Sequence, residues 1–261
     1  MRADLYIFTG GYAKSRQAAK LLIESAKVKI DGAVVKKASF DIDESAQHSV
    51  ELMEEQRFVS RGGEKLDFAL ERFSVDVKGS VAVDVGASTG GFTDCLLQRG
   101  AKKVFAVDSG HGQLDKKLSD DERIVLIEKY NARFMKKEDF PDELDVAVMD
   151  VSFISQTQIH AAVYSVLNEG GIFVSLIKPQ FEAGRAALNS RGVVKNASYH
   201  KLAIERVIES AFSVGFSCID LAVSPIEGGS GNVEYLACFL KEKAPQNLIT
   251  ENKIKSIIKI K

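Results

Sequence analysis

The segment Val81-Ala82-Val83-Asp84-Val85, followed by Gly86-Ala87-Ser88-Thr89-Gly90-Gly91-Phe92, constrains the fold more than any other. A short apolar run, a glycine-rich turn and a helical run from Thr93 to Gln98 form the opening strand, turn and helix of a nucleotide-binding α/β sheet. Glycine suits such a turn because, lacking Cβ, it lets the backbone pass close to a ligand. Later segments repeat the theme. Lys103–Asp108 and Leu144–Asp150 read as buried strands ending in an aspartate, and Gly171–Lys178 as one ending in a lysine. Val233–Leu240 is a further strand with Glu234 near its start. The expected fold class is α/β, a doubly wound and mainly parallel sheet preceded by a small α+β module.

With 261 residues, 45% of them hydrophobic, the chain has room for one full α/β domain and one smaller module. The beginning, Met1-Arg2-Ala3-Asp4-Leu5-Tyr6, lacks a basic region followed by an apolar core, and no apolar run has spanning length. A soluble cytoplasmic protein without stable membrane association is expected. Cys95, Cys218 and Cys238 are far apart among apolar neighbours and are expected to be buried thiols. The net charge of -1 hides an asymmetry: residues 2–37 carry eight basic side chains against three acidic ones. The stretch up to Glu55 is acidic. A junction is expected between Glu54 and Gly63, with Gly62-Gly63 permitting reorientation. The tail after residue 245, mixing lysine and isoleucine up to Lys261, is expected to be frayed or loosely packed.

Ala18, Ala19, Leu22, Ile23 and Ala26 have helical spacing and leave Arg16, Lys20 and Lys27 on or near the other face. Val28-Lys29-Ile30 and Ala33-Val34-Val35 flank Asp31-Gly32, a hairpin signal. The lysines either present one cationic surface to phosphates or merely solvate a small domain. The order Ser15-Arg16-x-x-Ala19-x-x-Leu22-Ile23, then Val28-x-Ile30-Asp31-Gly32-x-Val34-Val35, resembles the S4 RNA-binding domain over residues 1–55. That resemblance implies structured RNA as partner, with Arg2, Lys14, Arg16, Lys20, Lys27 and Lys29 as candidate contacts.

In the glycine turn, Asp84 stands two residues before the first glycine, where a carboxylate would repel a pyrophosphate but suits the cationic amino-acid end of S-adenosylmethionine. Asp108, at the end of the next strand, is placed for ribose hydroxyls. Helix capping is the alternative for either aspartate, and NAD the rival ligand. Gly86, Ala87, Ser88, Gly90, Gly91 and Phe92 complete the expected donor turn. Asn131 either contacts adenine or forms a turn. His111 reads as an exposed loop residue.

Asp150 and Lys178, at the ends of parallel strands, are expected to face the ligand crevice, and Glu234 needs a partner for an expensive charge. Together with Ser60-Arg61-Gly62-Gly63-Glu64-Lys65-Leu66, Asp150-Val151-Ser152-Phe153-Ile154-Ser155 and Lys178-Pro179-Gln180-Phe181-Glu182, the chain resembles the TlyA type of S4-domain methyltransferase over residues 1–242. The catalytic half of that family is related to the FtsJ ribose methyltransferases. The resemblance implies a Rossmann-like methyltransferase sheet, S-adenosyl-L-methionine as cofactor, and a catalytic tetrad of Lys65, Asp150, Lys178 and Glu234. Asp150 is also expected at the donor. The implied substrate is a cytidine 2'-hydroxyl of ribosomal RNA in a subunit or its precursor, with no metal required. Lys178 either takes the hydroxyl proton or orients the hydroxyl, since neighbouring carboxylates favour its charged form. Residues 181–198 read as a mobile loop whose Arg185 and Arg191, with Arg61, are candidate RNA contacts. The expected boundaries are residues 1–58 for the S4-like domain, 59–64 for the linker, 65–245 for the methyltransferase and 246–261 for the tail. Such chains have also been named haemolysins, so a membrane-active protein is one alternative. A non-catalytic assembly factor is another.

Overall fold

A computed structural model describes residues 1–53 and 57–258. The chain divides into two compact units, Met1–Gln56 and Arg57–Lys261. In the first unit, α1 (Ala3–Thr9) and α2 (Arg16–Glu24) share a core with an antiparallel sheet. Its strands are β1 (Val28–Ile30), β2 (Ala33–Val34) and β3 (Val50–Leu52), in the order β2-β1-β3. The Ser15 hydroxyl accepts the Ala18 N–H at 3.1 Å and caps α2. Ala19 and Ile23, four residues apart on one helix face, join Ala3, Ile7, Val28 and Ile30 in the core. Asp31 and Gly32 adopt φ 51° and 77°, the pair of positive values a two-residue hairpin turn requires. The expected basic helix and hairpin are both present.

The second unit is a seven-stranded sheet covered on both faces. Its elements are α3 (Arg61–Arg72), β4 (Val81–Val85), α4 (Gly91–Gln98), β5 (Lys103–Val107), β6 (Ile124–Ile127), β7 (Leu144–Met149), α5 (His160–Val166), β8 (Leu167–Ile177), α6 (Pro179–Glu182), α7 (Ala197–Val214), β9 (Phe216–Val223), β10 (Tyr235–Lys241) and α8 (Glu251–Ile257). The order is β6-β5-β4-β7-β8-β10-β9, parallel from β6 through β8, with β10 antiparallel to both neighbours. Alternation along β4 sends Val81, Val83 and Val85 to the core beneath α5 and α7, and Ala82 to the core shared with α3 and α4.

Three expectations need correction. Gly62 and Gly63 are no hinge, because they lie in the first turn of α3. A Cβ on Gly63 would collide with the Phe58 ring, and one on Gly91 with the Ser60 hydroxyl, so these glycines let α3 and α4 approach closely. Of the expected junction, residues 54–56 lie outside the described residues. The supposed mobile loop is held down: Leu188 bridges to Val194, and Asn232 accepts the Val194 N–H at 3.0 Å while donating to the Gly192 carbonyl at 3.1 Å. The tail carries α8, capped by the Thr250 hydroxyl, with Ile254 buried in the core and Lys253 paired to Asp220 at 2.6 Å. The final Lys259, Ile260 and Lys261 lie outside the described residues.

Candidate functional site

Strand direction brings the chemistry to one edge of the large sheet. Asp84 is the penultimate residue of β4, while Asp108, Asp150 and Lys178 directly follow the parallel strands β5, β7 and β8. Ligand crevices in open α/β sheets form at this carboxyl edge. Glu234 precedes β10, and the antiparallel register opposing Tyr235 to Ile177 brings it to the same edge.

Two ion pairs result. Lys178 Nζ lies 2.6 Å from Asp150 Oδ1 and donates to Ser152 Oγ at 2.8 Å. Lys65, buried on α3, places Nζ 2.6 Å from Glu234 Oε2, and Gln180 Nε2 donates to Glu234 Oε1 at 3.4 Å. Each lysine thus has its own carboxylate, which a buried charge requires. The tetrad read from the sequence comes together as two pairs.

Two cavities of about 240 and 250 Å³ flank Gly86. The first is bordered by Val107, Asp108, Asn131, Val151, Ile154 and Ile159, apolar walls with a carboxylate at one side. The second is bordered by Arg61, Lys65, Ala87, Ser88, Gly91 and Asp150, with Phe92 at its edge. A ligand with a nucleoside at one end and a charged amino-acid group at the other fits this division. Gly86 has φ 86°, and a Cβ there would fall 2.6 Å from the Asp150 carbonyl oxygen, so only glycine lets the two loops meet.

Asp84 and Gly90 line neither cavity. Alternation along β4 turns Asp84 toward α4, where its Oδ2 accepts the Thr93 hydroxyl at 2.7 Å. Its Oδ1 has no hydrogen-bond partner among the described residues. Burial, with smaller contributions from Asp150 and Asp108, pushes its carboxyl up to about 7. Asp84 thus lies buried beneath the turn and not at the wall of either cavity. Gly90 takes φ 90° at the start of α4, where a Cβ would meet Leu114 and Leu118. Asp108 borders the first cavity and accepts the Ser88 N–H at 2.8 Å and the Gly110 N–H at 2.7 Å, so its carboxylate is oriented before any ligand arrives. Asn131 accepts the Arg133 backbone N–H at 3.1 Å and its Nε at 3.2 Å.

In the first unit, Arg2 and Arg16 each pair with the buried Asp4 at 3.0 Å. Chiefly through the Arg2 hydrogen bond, this holds the Asp4 carboxyl down at about 2. Both arginines therefore tie the unit together while remaining partly exposed. Lys20 approaches Glu24 at 3.8 Å and Lys29 approaches Glu51 at 3.5 Å, Lys14 is exposed, and Lys27 is half-buried. Arg185, Arg191 and His111 are exposed. Arg61, read as an RNA contact, stands at the second cavity. The three cysteines are free and buried, and burial pushes the Cys95 and Cys238 thiols up to about 12.

Reading charges at strand ends alone missed the residues beside them. Ser152 and Gln180 orient the ion pairs, and the buried Glu182 accepts from Ser155 Oγ at 2.5 Å and the Gln156 N–H at 2.9 Å. Those bonds tie the segment after β7 to the one after β8. Phe153, with φ 64°, is 93% exposed and packs 5.4 Å from Phe181. Their presence beside Asp150 and Lys178 was the available signal.

Residues 58–241 match the FtsJ-like methyltransferase family, and residues 1–48 match the S4 domain. Hemolysin A of Brachyspira hyodysenteriae is 42% identical over 92% of this chain and 100% of its own length. The 16S/23S rRNA (cytidine-2'-O)-methyltransferase TlyA of Mycobacterium tuberculosis is 39% identical over 90% of this chain and 87% of its own. A Streptococcus thermophilus protein solved under the hemolysin name is 40% identical, with a TM-score of 0.77 over 98% of this chain and 94% of its own.

Proposed function

The chain belongs to the FtsJ-like methyltransferase family, and from that premise we propose that it methylates the 2'-hydroxyl of a cytidine in ribosomal RNA, using S-adenosylmethionine. The observation that carries this reading is the position of the Lys178–Asp150 and Lys65–Glu234 pairs beside two cavities that share Gly86. Its substrate is ribosomal RNA in a subunit or assembly precursor, and its place of work is the cytoplasm. The S4 domain supports an RNA partner, and the TlyA relative, aligned along nearly the whole chain, supports the cytidine ribose.

The fit to the donor rests on this chain's own residues. Asp108 is set for ribose hydroxyls, Asn131 for the adenine edge, and Asp150 for an ammonium. The donor supplies a methyl group on a sulfonium. Lys178 holds the acceptor: its ammonium is paired with Asp150, donates to Ser152, and keeps a hydrogen for the ribose 2'-oxygen. Lys65, fixed by Glu234, adds positive charge where the oxygen becomes alkoxide-like. In this role the lysines orient and stabilise while the hydroxyl oxygen takes the methyl, the carbon–sulfur bond of the donor breaks to leave a neutral thioether, and the hydroxyl proton passes to solvent; positioning the oxygen about 3 to 3.5 Å from the methyl provides much of the acceleration. Phe153 offers its exposed ring to the target base.

The test is transfer of labelled methyl from S-adenosylmethionine to unmodified ribosomal subunits and naked ribosomal RNA, with the labelled nucleotide mapped. Label on a cytidine 2'-oxygen is expected, and label on a base nitrogen or carbon would refute the reading. Lys178→Ala is expected to lower kcat by roughly 100-fold or more with donor affinity kept. Full transfer by that variant would remove Lys178 from the mechanism. Regarding the hemolysin name of the relatives, no helix among the described residues is long and apolar enough to cross a membrane.

A further inference from the structure

After β6 the chain runs Lys129-Tyr130-Asn131-Ala132-Arg133-Phe134-Met135-Lys136-Lys137, cations interleaved with aromatic rings. Tyr130, Asn131 and Ala132 border the first cavity, and Arg133, Phe134, Lys136 and Lys137 after them are exposed. Phe134 is 71% exposed, while the adjoining Met135 is buried. The ring stands on a fastened backbone. The Phe134 N–H donates to the Asn131 carbonyl at 2.9 Å, and the Tyr130 hydroxyl donates to Asp139 at 2.5 Å while lying 3.0 Å from the Phe134 carbonyl oxygen. The Arg133 guanidinium lies 5.7 Å from the Phe134 ring centre and is held by Asn131 and, at 3.1 Å, by Gln158. Lys129, Lys136 and Lys137 are exposed beside them. Of the nearby acids, Asp139 is engaged with Tyr130 and the Lys136 N–H.

We propose that Phe134 and Arg133, flanked by Lys129, Lys136 and Lys137, form a docking surface for single-stranded RNA, on which a base adjoining the target nucleotide stacks against Phe134. This deepens the proposed function and rests on it. An exposed ring on an ordered backbone loses little entropy when it is covered, and every base offers a π-face to it. The guanidinium over the ring leaves one face for a partner, and the lysines match the phosphates on either side of a stacked base. An apolar protein partner would have to bury four cations beside a single exposed carboxylate, Glu138. Because the same nine-residue run borders the first cavity, RNA held here meets the enzyme next to the donor site.

The test measures binding of the full chain to unmodified ribosomal RNA, alongside KM for that RNA, kcat and donor affinity. Phe134→Ala is expected to weaken RNA affinity and raise KM about tenfold, the effect of losing roughly 1.4 kcal/mol of stacking, with donor affinity unchanged. Phe134→Tyr should restore binding, whereas Phe134→Leu should not. Changing Lys136 and Lys137 together to Glu should flatten the dependence of log affinity on log salt by about 1 to 2. Unchanged RNA affinity and KM in both Phe134→Ala and the Lys136/Lys137 double variant would overturn the proposal. So would a change only in self-association, which would assign the surface to a second copy. Wild-type protein that binds RNA but transfers no methyl would overturn the proposed function, while the binding series would still decide the surface.

Discussion

Lys65 and Lys178 bring two positive charges to one end of the sheet, and each is matched by a carboxylate 2.6 Å away. The difference lies in their surroundings: Glu234 is buried and braced by Gln180, whereas the Lys178 pair also engages the Ser152 hydroxyl. Beneath them Asp84 supplies a titration near neutrality. Its carboxyl, pushed up to about 7 mainly by burial and further by Asp150 and Asp108, is largely neutral below that pH. A cationic donor favours the ionised form, so binding lowers the carboxyl's pKa and releases a proton. Donor affinity should therefore be flat at high pH and fall as pH drops through about 7, by at most tenfold per unit. Calorimetric titration at several pH values checks this. Asp84→Asn should bind more weakly at high pH and lose the dependence, and an unchanged profile in that variant would place the titration elsewhere.

At the scale of elements, the parallel strands and their terminal charges were legible because apolar runs ending in Asp or Lys leave few other places for those charges. The reversal of β10 was not legible. An apolar run carries no mark of direction, and only the antiparallel register puts Glu234 beside the site instead of at the opposite edge. The tail misled for a related reason: Ile254, Ile257 and Ile258 have helical spacing, but alternation with lysine conceals it over so short a stretch. Gly62-Gly63 resembled a hinge because a sequence shows that Cβ is missing without showing what fills the space. Here Phe58 fills it, and this yields a prediction of sign. If the pair were a flexible joint, Gly63→Ala would be neutral or would stabilise α3 by up to about 1 kcal/mol through helix propensity. Packed against Phe58, the same change should destabilise by about 1 to 3 kcal/mol, measured as a lower denaturant midpoint at constant slope. Phe58→Ala in the same chain should recover part of that loss, since the two changes share one space.

For the whole molecule, the division of labour follows from where cores and charges lie. Among the described residues, every one bordering the two cavities, and both ion pairs, belongs to the second unit, whose cores include none before Phe58. The first unit has its own core and the eight-to-three basic excess of residues 2–37. A chain of residues 57–261 should therefore fold and bind S-adenosylmethionine with affinity close to that of the full chain. It should bind ribosomal RNA more weakly and with a shallower salt dependence, because every phosphate that is no longer neutralised takes about 0.7 to 0.9 off the log–log slope. Methyl transfer should then fall mainly through KM, with kcat recovering at high RNA concentration, because the reacting groups remain. Parallel donor titrations, RNA binding across a salt series and steady-state transfer would measure all three. Loss of donor binding in a folded 57–261 chain would show that the first unit completes the donor site. An unchanged salt slope would mean that the basic face of α2 and its hairpin only solvates the fold.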